Sequence, residues 1–518
     1  MPPARAPRTR RAPRRPPRSR RPRAGAATAM LHAAALISRN PPCPRHLPLG
    51  SAGMQNLDQS PVRQRRGLWT WVPSRSGTGV HCGRHPSGRK VGMMGHRPRN
   101  PTLGDPMTHH IRRPLLAHTH ERARTPRSDR RTVAGIAAVG VISLLLAGCA
   151  GSTAPEGSAT PTATDSLRPA APEGELPADL QTELQEIVDR TMAEYDVSGA
   201  AVGVWIPGEG SWTSAVGLAD IDADTPVSLD MTWPLRSVTK SYTVTLILQL
   251  VDEGKLSLDD TIGKYVDGIA NGDSITIRQL ADMSSGNADY TSTEAFGAAY
   301  SADEARIFTL AELNDFLVGQ PAAFAPGERK VYTNANTNLL GAVVEKVTGQ
   351  PFADALDERI LQPLGQSGTR YTLDASTWTD HPNGYVLLDG EQVVQNDNLS
   401  IYGPAGSMVS TLDDARVWAE ALGSGLLLEP STQTERQSGA PLEEGPPYDQ
   451  YALGIGETNG WWGHNGEGLG FTAAVFHDPE TGASIAVFMN ASNVVPKAHP
   501  ADQTFRRIAE ALAAGSGE

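Results

Sequence analysis

The chain has 518 residues and carries 46 Lys/Arg against 57 Asp/Glu, a formal net charge of −11, which as a prior allows two to three domains. That balance hides a split: residues 1–131 hold 28 basic and 4 acidic side chains, and the remainder holds 18 and 53. The acidic part argues against a nucleic-acid partner, because phosphate contacts need a basic face. Three cysteines (Cys43, Cys82, Cys149) exclude a disulfide framework. No Cys/His cluster has zinc spacing, so neither a metal nor another cofactor is expected.

The opening MPPARAPRTRRAPRRPPRSRRPRAG has no periodic apolar face. Proline removes helix donors and the arginines repel one another, so such a segment cannot offset its ordering entropy. Residues 1–106 read as an extension ahead of the true start, with plain disorder and a basic arm for nucleic acid as the other readings. The run VAGIAAVGVISLLLAG at 133–148 follows Arg127, Arg130 and Arg131 and ends at Cys149. It combines a positive n-region, an apolar core and a small-residue cleavage site. At about 16 residues it is short for a spanning helix of about 20, so an uncleaved anchor is the lesser reading. Leu146-Ala147-Gly148-Cys149 resembles a bacterial lipoprotein signal, which implies lipidation of Cys149 and anchoring on the extracytoplasmic face of a membrane. Such signals sit near a chain start, so Met107 is the expected start and 107–148 the n-region and signal peptide. Whether export is by Sec or twin-arginine stays open. Residues 149–175, rich in Ser, Thr, Ala, Pro and Gly, are expected to be a flexible linker.

The folded part is expected over 176–518, long enough for a substantial core. Leu180, Leu184, Ile187, Val188 and Met192 fall at helical spacing. Residues 200–206 and 211–216, on either side of Pro207-Gly208, predict a β-hairpin. Residues 237–430 read mostly as helices and loops. Strands return at 471–476 and 483–489 around Asp478-Pro479-Glu480-Thr481-Gly482, and Phe505, Ile508, Ala509 and Leu512 form a last helical face. Strands at both ends with helices between predict an α+β fold, with one antiparallel sheet built from both termini and a mostly helical insertion.

Three short signals carry chemistry. Ser237-Val238-Thr239-Lys240 opens a stretch, SYTVTLILQLVDEG, that is apolar on nearly all sides and therefore reads as a buried helix. Ser237 would lie at its first turn, where N–H groups favour developing negative charge, with Lys240 one turn on. Burial would lower the lysine pKa until it can accept a proton, and a serine hydroxyl needs such a base to become a nucleophile. The rival reading is a capping serine and a surface lysine. Tyr332-Thr333-Asn334 precedes another apolar helix; Tyr and Asn two apart can both enter one cleft, although on its own a capping turn is the favoured reading. Trp462-Gly463-His464-Asn465-Gly466-Glu467 reads as a strand whose small residues let a substrate backbone come close. Trp233, Trp461 and Trp462 would line that cleft or, more simply, pack the sheet against the helices.

Ser-x-x-Lys, Tyr-x-Asn and His-x-Gly in this order resemble the serine β-lactamase and penicillin-binding protein superfamily, with class C β-lactamases and D-alanyl-D-alanine carboxypeptidases as the nearest kinds. The stretches ITIRQLADMSSGNADY, PGERKVYTNANTNLLGAVVEKVTGQPF and PAGSMVSTLDDARVWAEAL are also similar to that family. The resemblance covers roughly 176–514 and implies a β-lactamase-like fold and acyl transfer through a covalent ester. It implies Ser237 as nucleophile, Lys240 as its base or as the group that tunes the base, Tyr332 as proton relay, and Asn334, His464 and Gly466 as substrate-binding residues. The backbone N–H groups of Ser237 and Glu467 would form the oxyanion hole. Two departures stand out: His464 replaces the usual lysine and binds a carboxylate less reliably, and Asn465 replaces a hydroxyl residue. The resulting expectation is an exported hydrolase acting on peptidoglycan stem peptides as a D-alanyl-D-alanine carboxypeptidase. The alternatives are an esterase, another amidase, or a penicillin-acylated sensor with little turnover.

Overall fold

A computed structural model describes residues 166–388, 391–395, 398–492 and 498–515. The expectations for the basic extension, the signal segment, Cys149 and the linker up to residue 165 fall outside the described residues. Among the described residues no helix is long and apolar enough to cross a membrane.

The helices are α1 (Ala178–Glu194), α2 (Thr239–Asp252), α3 (Ile277–Ala281), α4 (Glu294–Ala302), α5 (Leu310–Asp315), α6 (Asn334–Thr348), α7 (Phe352–Leu356), α8 (Leu412–Ser424), α9 (Pro430–Arg436) and α10 (Pro500–Gly515). The strands are β1 (Gly199–Ile206), β2 (Gly210–Asp220), β3 (Thr225–Pro226), β4 (Trp233–Pro234), β5 (Arg370–Tyr371), β6 (Gly384–Leu388), β7 (Glu391–Gln395) and β8 (Met408–Ser410). They continue with β9 (Gln450–Tyr451), β10 (Gly456–Thr458), β11 (Trp461–Gly468), β12 (Phe471–His477), β13 (Ser484–Met489) and β14 (Ala491–Ser492).

The principal sheet has eight strands in the order β3-β2-β1-β13-β12-β11-β10-β9. Its pairings are antiparallel, and the two chain ends meet where Ala200 faces Met489. Alternating side chains give each strand two faces. One face carries Val202, Val204, Phe476, Ile485 and Val487 against α1 and α10, with Phe476 stacked on Phe505 at 4.0 Å. The other carries Trp462, Val475, Ala486 and Phe488 into the larger core built around α2, α6 and α8. Helix α1 buries Leu184, Ile187, Val188 and Met192, the stripe its spacing predicts.

The middle of the chain is helical as expected, but it also holds the hairpin β6–β7 and the small sheet β4-β8-β5. Strands of two to five residues are too short to show a period in sequence. The three tryptophans are core rather than cleft residues. Trp233 stacks on Phe488, Trp461 meets Phe505 edge-on, and Trp462 lies in the larger core.

The structure moves one boundary. Residues 166–175, expected as the end of a flexible linker, are held against the body. Leu167 N–H donates to the Pro363 carbonyl at 2.8 Å, and Arg168 reaches the Gly365 carbonyl and both Asp413 and Asp414 at the head of α8. Ser211 N–H donates to the Gly174 carbonyl beside β2. Composition registered a stretch poor in large apolar side chains here but not these polar contacts.

Candidate active site

Ser237 lies in a 3-10 turn, Arg236–Val238, that runs directly into α2. It therefore sits just ahead of the α-helix rather than inside its first turn. Its flanking residues are buried while Ser237 itself is partly exposed. Arg236 adopts φ +50, a left-handed conformation uncommon for residues other than glycine and costly by about 1–3 kcal/mol unless held. It is held: Nε donates to the Gly468 carbonyl at 3.0 Å, and the guanidinium lies over the Tyr402 and Phe471 rings. The strained turn ties Ser237 to strand β11.

Lys240 is fully buried, which excludes the surface-lysine reading. Its ammonium donates to Ser237 Oγ at 3.0 Å, to Asn334 Oδ1 at 2.8 Å and to the Ala405 carbonyl at 2.9 Å, and lies 4.9 Å from the Tyr332 ring centre. Burial lowers its pKa to about 7, with the charge of Asp289 pulling the other way. Near neutral pH a large fraction is therefore the free amine, beside the hydroxyl it would deprotonate.

Tyr332, Thr333 and Asn334 divide two tasks between them. Thr333 caps α6, its Oγ1 accepting from Ala335 N–H at 3.2 Å. Tyr332 and Asn334 lie against Lys240 instead, so capping accounts for Thr333 alone. The Tyr332 phenol is pushed well above its ordinary range by burial, opposed by a hydrogen-bonding interaction with Ser237.

On β11, alternation sends His464 and Gly466 toward Ser237 and sends Asn465 to the opposite face. Asn465 Nδ2 donates to Asp502 Oδ1 on α10 at 3.1 Å, and Tyr448 donates to Asn465 Oδ1 at 2.8 Å. His464 is wholly buried. Its Nδ1 is 2.5 Å from the Asn465 carbonyl, an acceptor that requires the proton on Nδ1. Nε2 is then the acceptor, facing the Tyr451 hydroxyl at 3.3 Å and the Tyr332 hydroxyl at 3.5 Å. Burial, followed by the charge of Lys240, lowers the His464 pKa to about 3, so the ring is neutral at physiological pH. A Cβ on Gly466 would press on the backbone of residues 235–237, so the strand carrying the Glu467 N–H lies directly against the Ser237 turn.

The structure thus gathers Ser237, Lys240, Tyr332, Asn334, His464 and Gly466 into one cluster. Sequence reasoning missed Asp289, Tyr448 and Tyr451. Asp289 stood inside the ITIRQLADMSSGNADY stretch without a motif of its own. The tyrosine pair sits 16 and 13 residues ahead of His464 in YDQY, and the Asn459-Gly460 turn that joins β10 to β11 is the signal that could have placed it nearby.

A serine hydrogen-bonded to a buried lysine, at the meeting of a two-ended antiparallel sheet and a helical insertion, points to a class of serine hydrolase. The chain belongs to the Beta-lactamase family, which it matches over residues 184–512. It is 25% identical to Protein flp of Staphylococcus aureus (strain N315) over 345 residues, 62% of this chain and 66% of flp. It is 35% identical to Esterase EstB of Burkholderia gladioli over 202 residues, 36% of this chain and 50% of EstB. The chain therefore spans just under two thirds of the one relative and half of the other. The structure of D-amino acid amidase from Ochrobactrum anthropi SV3 complexed with L-phenylalanine amide is similar with a TM-score of 0.59 and 25% identity, covering 65% of this chain and all of the amidase.

Proposed function

We propose that this chain is a serine amidase or esterase that acts through an acyl-enzyme on small amides or esters lacking a terminal carboxylate. The observation that carries this choice is the state of His464: a neutral, buried ring stands where a carboxylate-binding cation would be needed. Asn465 is turned away to Asp502, so these two positions of β11 offer a substrate carboxylate neither charge nor hydroxyl. The named relatives, an esterase and a D-amino acid amidase, support the same reading. The carboxypeptidase expectation requires recognition of a terminal carboxylate, which this pair of residues does not favour.

In the proposed reaction neutral Lys240 takes the Ser237 hydroxyl proton, and Oγ attacks the substrate carbonyl carbon. The oxyanion is received by the Ser237 and Glu467 N–H groups. The proton passes from Lys240, through Tyr332, to the departing amine or alcohol, leaving an ester on Ser237. Water then attacks that ester, the same groups taking and returning a proton, and frees the acid. On the sequence of 107–149 alone we further propose export and lipidation at Cys149, which intact mass of the native protein tests.

The test is to offer the purified protein D-amino-acid amides, p-nitrophenyl butyrate and a D-Ala-D-Ala-terminated peptide in parallel, with Ser237→Ala as control. Turnover of amide or ester, lost in the variant, is the expected result. Turnover of the peptide alone would overturn the substrate class and restore the carboxypeptidase.

A further inference from the structure

Asp289 lies in the loop between α3 and α4, outside the three boxes that carry the proposed chemistry. Its carboxylate is engaged on both oxygens, one by the turn that precedes α6 and one by its own loop. Oδ2 accepts from the Asn334 backbone N–H at 2.8 Å and from Thr333 Oγ1 at 3.2 Å. Oδ1 accepts from the Thr291 N–H at 2.9 Å and its hydroxyl at 2.7 Å. A single carboxylate thereby fixes the backbone of the residue whose side chain receives a hydrogen bond from Lys240.

The groups that touch Lys240 or interact with its charge come from five parts of the chain. They are Ser237 on its own turn, Tyr332 and Asn334 at the head of α6, the Ala405 carbonyl, His464 on β11 and Asp289. Of these side chains, Ser237 and Asn334 are neutral, the His464 ring is neutral and the Tyr332 phenol remains protonated at physiological pH. Asp289 supplies the negative charge among the named groups.

We propose that Asp289 is a positioning residue that does two things at once: it locks the Tyr332-Thr333-Asn334 turn and it supplies the counter-charge that sets the pH at which Lys240 becomes a free base. The proposal rests on the reading of Lys240 as the base for Ser237. A carboxylate nearby favours the charged amine and so opposes the loss of its proton by burial. Without that charge Lys240 would deprotonate at lower pH, while the turn would lose an anchor.

Two measurements separate these roles. The first is the pH dependence of Ser237 labelling by a fluorophosphonate probe, which needs no knowledge of the substrate. The second is the 13Cε titration of Lys240, one of seven lysines in the chain, which reads the amine directly and requires no activity. In Asp289→Asn, which keeps an acceptor oxygen for the turn, both the acid limb and the 13Cε midpoint should move down by about one pH unit or more. In Asp289→Glu, which keeps the charge, both should stay within a few tenths of a unit of the wild type even if the labelling rate falls. Loss of labelling with both midpoints unmoved in Asp289→Asn would overturn the counter-charge role and leave Asp289 as a turn anchor only. Should Asp289→Asn not fold, a midpoint in Asp289→Glu displaced downward as far as one unit would overturn it equally. Absence of labelling in the wild type, with a normal 13Cε shift in Asp289→Asn, would reject the nucleophile reading and leave the electrostatic assignment standing.

Discussion

Gly466 on β11 and Ser237 at the head of α2 are packed so closely that a Cβ on Gly466 would lie 2.9 Å from the Ser237 backbone nitrogen and 2.4 Å from the Leu235 carbonyl oxygen. Its glycine identity answers to space rather than to backbone conformation. Both neighbouring atoms belong to the backbone of a turn already held in strain at Arg236, so the strand must move instead. Gly466→Ala is expected to displace the Glu467 N–H from its partner donor on Ser237. Loss of one oxyanion donor costs about 10²- to 10³-fold, and overpacking about 1–3 kcal/mol of stability. Fluorophosphonate labelling of Ser237 and thermal unfolding measure the two together. A variant that folds and labels at the wild-type rate would show that β11 contributes no donor to the site.

Lys240 makes stability depend on pH in a defined window. Its folded-state pKa is about 7, against an ordinary lysine value of 10.5. Between these two values the unfolded chain binds a proton that the native chain does not, so stability rises with pH there, by about 1.4 kcal/mol per pH unit. Below pH 7 both states are protonated and the cost of burying the charge is constant. Lys240→Met removes this dependence. Urea unfolding at pH 6, 7.5 and 9 should show the wild type gaining on the variant only above about pH 7. Parallel stability curves across that range would mean that Lys240 keeps its proton in the native state, and would remove it as a base.

Much of this architecture was legible because its signals are long. The α1 stripe, the β1–β2 hairpin and the strands around Asp478 each carry a period or a turn over several residues, and they place the sheet. The three boxes were legible as residue types, and the burial of Lys240 followed from an apolar helix with no polar face to present. What escaped was whatever depended on partners distant in sequence. Asp289 becomes meaningful only when its loop meets Asn334. Tyr448 and Tyr451 do so only when β9 folds beside β10 and brings them to His464. The hold on residues 166–175 comes from Arg168 finding two aspartates at the start of α8, which composition counted simply as linker.

His464 should be invisible in the pH dependence of the site. Its pKa is lowered to about 3 by burial and by the charge of Lys240, so it does not titrate where Ser237 reacts. His464→Gln keeps an acceptor toward Tyr332 but abolishes any imidazole titration. The expected result is a labelling rate reduced up to about 10²-fold, within the range of a proton-relay contribution, with the acid limb still near pH 7 where Lys240 deprotonates. An acid limb that disappears or moves by a unit or more in this variant would assign the titration to His464 instead.

Arg168 is expected to control a local opening rather than global stability. Its guanidinium donates to Asp414 at 2.9 Å and to the Gly365 carbonyl at 2.6 Å, and the Pro169 carbonyl accepts from Arg416 at 3.2 Å. The Arg168–Asp413 pair is open, its side chains 27% and 63% exposed, and contributes about 0–1 kcal/mol; Asp414 is buried but keeps the Gly368 N–H and the Thr369 hydroxyl as donors without Arg168. Arg168→Ala should therefore leave the urea midpoint nearly unchanged. The segment has few buried apolar contacts of its own, and such regions open independently of the body. Removing its clamp should expose 166–175 to brief thermolysin digestion, producing a cut near this segment while the rest of the domain stays intact. Equal resistance of the wild type and the variant would mean that the backbone contacts of Leu167 and Gly174 hold the segment without Arg168.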